Sequence, residues 1–255
     1  MSSRRRPLTY FLLAVGFFTR LPVPPLADFE EADLNHAARY FPLVGLLIGL
    51  LAAMVWLLAS RVLPSSLAIL CSMAATIYLT GAFHEDGLAD SADGLGGGMD
   101  AERKLAIMQD SRLGSYGAIA LLGMLLAKFH ALAALSATWL PFAMIAGHAL
   151  SRLASVYLMC TAHYVRFSGK AKPLATALSR ADIRWASLFG GLPLLAFAGL
   201  LGLYHSLLTT AGFLLATLLP VGLVWYWWRR LILRNIGGYT GDTLGAAQQL
   251  TELAF

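Results

Sequence analysis

FPLVGLLIGLLAAMVWLLAS, residues 41–60, contains no ionisable side chain from end to end. A helix of about 20 residues rises roughly 30 Å, the thickness of a bilayer's hydrocarbon core. In lipid no water satisfies the backbone, so a segment of this kind must be helical. Five further stretches read the same way: LPSSLAILCSMAATIYLTGAF (63–83), YGAIALLGMLLAKFHALAALS (116–136), WLPFAMIAGHALSRLASVYLMC (139–160), WASLFGGLPLLAFAGLLGLY (185–204) and SLLTTAGFLLATLLPVGLVWYWW (206–228). Only Lys128, His130, His148 and Arg152 interrupt them with ionisable groups. Over all 255 residues, 58% are hydrophobic and 13% charged, about half the charge of an ordinary soluble domain. The chain therefore predicts an all-α, polytopic integral membrane bundle. It has about six transmembrane helices and forms a single membrane domain over 1–255.

The two ends need separate treatment. RRRPLTYFLLAVGFF (4–18) has a basic start and an apolar run, like a signal peptide, but TRLPVPP follows with no small-residue cleavage site. Residues 7–18 are too short to span and predict an in-plane or re-entrant segment. At the other end, TELAF predicts a partial seventh helix. Cys71 and Cys160 fall in predicted spans without metal-like spacing and read as inert packing residues.

Charge sets the expected orientation. With the N-terminus in the cytoplasm and six crossings, the cytoplasmic segments are 1–40, 84–115, 161–184 and 229–255. They carry 16 of the 19 Lys and Arg, and all 14 Asp and Glu, as the positive-inside rule requires. The polar chemistry is expected on that face, near 84–115, 161–184 and 229–255.

HEDGLADSADG (84–94) concentrates acids in this apolar chain. Asp86, Asp90 and Asp93 are spaced i, i+4, i+7, on one face of a helix. Carboxylates so close repel, and a hard divalent cation such as Mg2+ or Mn2+ resolves the conflict. Asp86, Asp90, Asp93 and the neighbouring Glu85 are the candidate metal ligands. His84 is a candidate ligand, acid–base group or helix-start residue. GLGGGMD (94–100), beginning at Gly94, reads as a glycine-rich turn that either presents N–H groups to phosphate or links to the next helix. In QDSRLGSYG (109–117), Asp110 is a candidate ligand or base and Arg112 a phosphate contact.

Cationic partners come from elsewhere in the chain. Arg152 lies inside a predicted span, where an arginine is costly and marks a functional site. Lys128 lies in another, as a bundle-interior contact or a local ion pair. Arg166, Lys170 and Lys172 occupy a loop, and RNIGGYTGDTLGAA (234–247) offers Asp242 beside glycines. Carboxylates for Mg2+ with Arg and Lys for phosphate are the recurring parts of phosphoryl transfer. The residues alone point to a metal-dependent phosphotransferase on the membrane and do not name its substrates. A cation-coupled transporter is the competing class. It would place acids at mid-membrane on interrupted helices of repeated halves, whereas here the acids cluster at one end.

FFTRLPVP (17–24), FPLVG (41–45), GAFHEDGLADSADG (81–94), IMQDSRLGSYG (107–117) and GGYTGDTLGAA (237–247) together resemble the cobalamin synthase family, the adenosylcobinamide-GDP ribazoletransferases, over nearly the whole chain. The resemblance implies a Mg2+-dependent enzyme of the cytoplasmic (inner) membrane. In it the ribose 3′-hydroxyl of α-ribazole or its 5′-phosphate attacks the corrinoid-side phosphorus of adenosylcobinamide-GDP, and GMP leaves. Asp86, Asp90 and Asp93 would hold the metal, with Asp110 completing the site or accepting the proton. Arg112, Arg152 and Arg166 would clamp phosphate, and Asp242 would help place the second substrate. Membrane lipid and other late cobalamin-pathway enzymes are expected partners, nucleic acid is not, and a homo-oligomer is left open. Gln249 stands where an acid is expected, while Glu252 remains. Asp90-x-x-Asp93-Gly94 also resembles the opening of the CDP-alcohol phosphotransferase motif, but LGGG follows where Ala-Arg should stand. A CDP-alcohol-type lipid phosphotransferase is thus the alternative enzyme.

Overall fold

A computed structural model describes residues 6–24, 31–165 and 178–255. In chain order its helices are α1 Arg6–Phe18, α2 Glu31–Ala37, α3 Phe41–Ala59, α4 Ser65–Thr80, α5 Phe83–Gly97 and α6 Ala101–Met108. Then follow α7 Ser115–Ala134, α8 Leu140–Thr161, α9 Arg180–Tyr204, α10 Leu207–Ile236 and α11 Gly241–Ala254. Among the described residues the only β-type pairing is an isolated bridge between Tyr164 and Tyr239.

Asp33–Ala59, α7, α8, α9 and α10 are each long and apolar enough to cross a hydrocarbon core. The protein is a multi-pass membrane bundle, and α1 is too short to span, as expected. The predicted second span is not straight: α4 stops at Thr80 and α5 departs at 85°. Gly81 (φ 67°) and Ala82 (φ 58°) both adopt the left-handed conformation there, and their N–H groups return to the carbonyls of Tyr78 and Ile77. Such a C-terminal cap strongly favours glycine at the first position. The TRLP segment fixes the bend from outside. The Arg20 N–H donates to Leu79 O at 2.8 Å, and a Cβ on Gly81 would stand 2.6 Å from Arg20 Nε.

The centre of the bundle is the α3–α8 contact. Cβ atoms on Gly45 and Gly49 would fall 2.2 Å from His148 O and 2.6 Å from the Ile145 Cα. Small residues one turn apart let two membrane helices approach backbone to backbone, which drives packing where lipid gives no hydrophobic force. Helices α9 and α10 lie outside this core with many leucines exposed, as lipid-facing surfaces are. Cys71 and Cys160 are free and exposed rather than packed inward.

The partial seventh helix expected at TELAF is the end of α11, which begins earlier, at Gly241. Residues Thr243–Gln249 are all buried, and the helix runs back into the bundle against α5 and α8. Thr240 and Thr243 cap its start reciprocally. Trp228 Nε1 donates to Thr243 O at 2.9 Å and Ser155 Oγ to Leu244 O at 3.1 Å. Near α9, the fully buried Asp182 accepts from Arg39 and His36, tying the end of α2 and the turn after it to the start of α9.

Candidate active site

Helices α5 and α11 cross where neither carries a side chain. A Cβ on Gly87 would stand 2.8 Å from Asp242 O, and one on Gly245 would stand 3.3 Å from His84 O. This close crossing brings Asp86 and Asp242, far apart in sequence, to one cavity of about 370 Å³. Arg152 and Ser155 of α8 and His84 of α5 line it too, facing an aromatic wall that includes Phe17, Phe18 and Phe41.

Arg152 is only 2% exposed. One terminal nitrogen donates to His148 O at 3.0 Å, and the guanidinium lies 5.6 Å from the Phe18 ring centroid. Its Nε has no hydrogen-bond partner. The His84 ring stacks on Phe18 at 5.4 Å, and its buried Nε2 is also unpartnered. Leaving a buried polar group unpaired costs about 1–3 kcal/mol, more if charged. Both residues line the cavity, which makes it the candidate place for a polar ligand. The guanidinium is suited to an anion with paired oxygens, such as phosphate.

The other intramembrane cation behaves differently. Lys128 pairs with Glu252 and donates to Gln249 Oε1 at 2.8 Å, while Glu252 also pairs with His148 at 2.9 Å. Lys128 thus sits in an internal ion pair and does not line the acid–arginine cavity. Glu252 lies inside the bundle, not on the acid-rich face where the sequence reading put every acid. Glu85 turns the same way. Its carboxylate accepts from Gln249 Nε2 at 3.1 Å, and it borders a second cavity of about 230 Å³ with Lys128, His148 and Glu252. Gln249, standing where an acid was expected, bridges Glu85 and Lys128 without adding charge.

Asp93 is engaged in holding the fold. Its carboxylate accepts the Gly114 N–H at 2.7 Å and the Gly117 N–H at 2.8 Å, two donors that the first turn of α7 leaves free. A Cβ on Gly117 would lie 2.3 Å from that carboxylate, which explains the glycines of SRLGSYG. Gly94 likewise packs: its Cβ would stand 2.4 Å from Met108 Cγ. The glycine-rich stretch is helical through Gly97, so the turn expected either to meet phosphate or to link to the next helix is the end of a helix set tightly against α6. Asp90 is half-buried one turn from Asp86 and does not line the cavity.

Asp110 and Arg112 pair with each other outside the bundle, at 2.6 Å, and neither lines the cavity. Arg112's hydrogen bonds hold the Asp110 carboxyl down at about 2, unsuited to accepting a proton near neutrality. Arg166, Lys170 and Lys172 lie outside the described residues.

Among the described residues no three His, Cys, Asp or Glu side chains gather as a metal cage. The carboxylates on the cavity wall are Asp86 and Asp242. Two hard carboxylates from facing helices fit Mg2+, which usually takes one or two protein carboxylates and fills the rest of its shell with water and phosphate oxygens. Sequence reasoning did not single out Phe17, Phe18 and Ser155. FFTRLPVP signalled the first two as a motif without indicating that α1 folds over α5.

The fold and this cavity define a polytopic membrane enzyme that gathers a buried arginine and two carboxylates around one space. The chain belongs to the cobalamin-5-phosphate synthase family, whose profile matches residues 10–255. Proteins named adenosylcobinamide-GDP ribazoletransferase are similar to it along almost their full lengths. That of Ralstonia nicotianae is 48% identical, covering 99% of this chain and 95% of the relative. That of Ralstonia pickettii is 49% identical, covering 94% and 90%, and that of Shewanella amazonensis is 46% identical, covering 99% and 95%. No solved structure matches.

Proposed function

We propose that the cavity joins adenosylcobinamide-GDP to α-ribazole or its 5′-phosphate. The ribose 3′-oxygen forms a bond to the phosphorus nearer the corrinoid, the bridging P–O bond breaks, and GMP leaves with the bridging oxygen. The observation that carries this reading is Arg152, a buried guanidinium with an unpartnered Nε on the same wall as Asp86, Asp242 and His84.

Arg152 binds the non-bridging oxygens of the diphosphate and opposes the charge that grows on them. A preformed donor in a water-poor site does this without reorganising. His84 Nε2 takes the proton of the attacking hydroxyl, its ring held in place by stacking on Phe18. Asp86 and Asp242 would hold Mg2+. The ion, when bound, supplies Lewis-acid neutralisation of the phosphoryl oxygens. The glycine crossing of α5 and α11 keeps these two carboxylates at one place. The acid-bearing end faces the cytoplasm, on the strength of the Lys and Arg distribution, and the membrane is the inner one.

The test uses protein purified into nanodiscs and incubated with adenosylcobinamide-GDP, α-ribazole and Mg2+. GMP and the corrinoid product are separated by chromatography. GMP release with a new corrinoid, abolished by EDTA and restored by Mg2+, is expected. Turnover of a CDP-linked lipid precursor in place of these substrates would overturn the proposal.

A further inference from the structure

The reaction has two substrates, and the cavity is too small for both. At about 370 Å³ it lies at the low end of small-molecule sites, which run from roughly 300 to 1,000 Å³. That admits a nucleoside but not a corrin macrocycle with its nucleotide. Two nucleosides compete for it: ribazole, the riboside of a dimethylated benzimidazole, and the guanosine of the activated corrinoid.

The walls discriminate between them. Phe17 of α1, Phe41 of α3 and Phe83 of α5 line the cavity with Leu34 and Met159. Phe83 is 38% exposed, and its ring meets Phe17 edge to face at 5.1 Å. Guanine carries N–H donors and a carbonyl that need partners, and an aromatic and aliphatic wall offers none. Unpaired polar groups at such a wall weaken binding heavily. Dimethylbenzimidazole is flat, bicyclic and almost wholly apolar, and aromatic side chains stack on such a base. Of the polar side chains that line it, Asp86, Asp242, Arg152 and His84 serve the reacting phosphates and ribose hydroxyl in the proposed reaction, Ser155 Oγ donates to Leu244 O, and Tyr164 packs edge to face on Tyr239.

Resting on the function proposed above, we infer that this cavity is the ribazole subsite. The benzimidazole lies against Phe17, Phe41 and Phe83 with its ribose toward His84 and Asp86, and the corrinoid and its guanosine approach from outside. The enzyme therefore binds ribazole without the second substrate, and selects its base by stacking and the absence of polar partners.

Binding of radiolabelled α-ribazole to the nanodisc protein is followed by equilibrium dialysis, with no corrinoid present. Free dimethylbenzimidazole should displace it and GMP should not. Two variants narrow or strip the wall. Phe83→Leu removes an aromatic face, and Gly241→Leu adds bulk at a lining position where a Cβ meets no atom within 4 Å. Each should weaken ribazole binding about fivefold or more and raise KM for α-ribazole while KM for adenosylcobinamide-GDP stays put. Displacement by GMP, a raised KM for adenosylcobinamide-GDP, or unchanged ribazole affinity in both variants would overturn the assignment. Ribazole binding displaced by the free base, with no GMP release from wild type, would uphold the subsite and sink the transferase reading instead.

Discussion

Replacing Asp93 by Asn should cost stability and leave the metal requirement alone. The carboxylate is 8% exposed and accepts from Gly114 N at 2.7 Å and Gly117 N at 2.8 Å. An asparagine keeps one oxygen for one of these donors and turns an NH2 toward the other. One buried N–H then loses its partner, at about 1–3 kcal/mol, and the remaining bond loses its charge. The negative charge at the start of α7 also disappears, worth about 0.3–1 kcal/mol. A total near 3 kcal/mol follows, and at about 2–4 °C per kcal/mol for a chain of this size Tm should fall by roughly 6–12 °C. Gly117→Ala should act through the same contact, since its Cβ would stand 2.3 Å from the Asp93 carboxylate and 2.9 Å from Ala89 O. Overpacking of this kind costs about 1–3 kcal/mol. Tm is read by tryptophan fluorescence in detergent, and the Mg2+ dependence of GMP release is measured well below the lowered Tm. An Asp93→Asn protein that melts like wild type but demands more Mg2+ would refute the reasoning and return Asp93 to the metal.

Lys128→Met should destabilise by about 3 kcal/mol, because it takes the lysine from the buried Glu252 carboxylate and leaves only His148 to pair with it. The double variant Lys128→Met/Glu252→Gln should recover most of that Tm. Arg152→Lys should lower GMP release about 100-fold or more, since a point charge replaces a planar fork; a rate within a few-fold of wild type would remove Arg152 from the reaction. Asp110→Asn should leave the shape of the pH–rate profile unchanged between about pH 5 and 9. Arg112 holds Asp110 at about 2, below the ordinary 3.8. Any stability from such a depressed carboxyl is present above the unfolded value and is lost only as pH falls toward 2. A profile that loses a limb in that window would make Asp110 the base.

The sequence carried the bundle plainly because uninterrupted apolar runs have few other physical outcomes. Five of the six predicted spans are long helices near the expected bounds. The exception, 63–83, was hidden because its composition stays apolar through Phe83 while the break depends on Gly81 and Ala82 turning left-handed against Arg20, a contact across about sixty positions. The acid cluster was legible as a concentration of carboxylates and not as an arrangement. Helical register puts Asp86, Asp90 and Asp93 on one face, but only the docking of α7 and α11 decides their fates. Asp93 turns to α7 and Asp86 to the cavity. Lys128 and Arg152 looked alike as intramembrane cations, and what separates them is Glu252, which α11 brings beside Lys128 by folding back into the bundle. Glycines divide in the same way: Gly87, Gly94 and Gly117 are close-approach positions, a role that spacing along the chain does not encode.

If the reaction occurs at the α5–α11 crossing, Asp86 on its cavity side is needed for it. Single-turnover GMP release by Asp86→Asn, at saturating α-ribazole and Mg2+ and with Tm measured on the same sample, tests it most directly. Asp86 is exposed and has no clamping role like that of Asp93. Release slowed about 100-fold or more at a wild-type Tm is therefore expected. Release at the wild-type rate by a protein with the wild-type Tm would contradict it and move the chemistry away from this cavity.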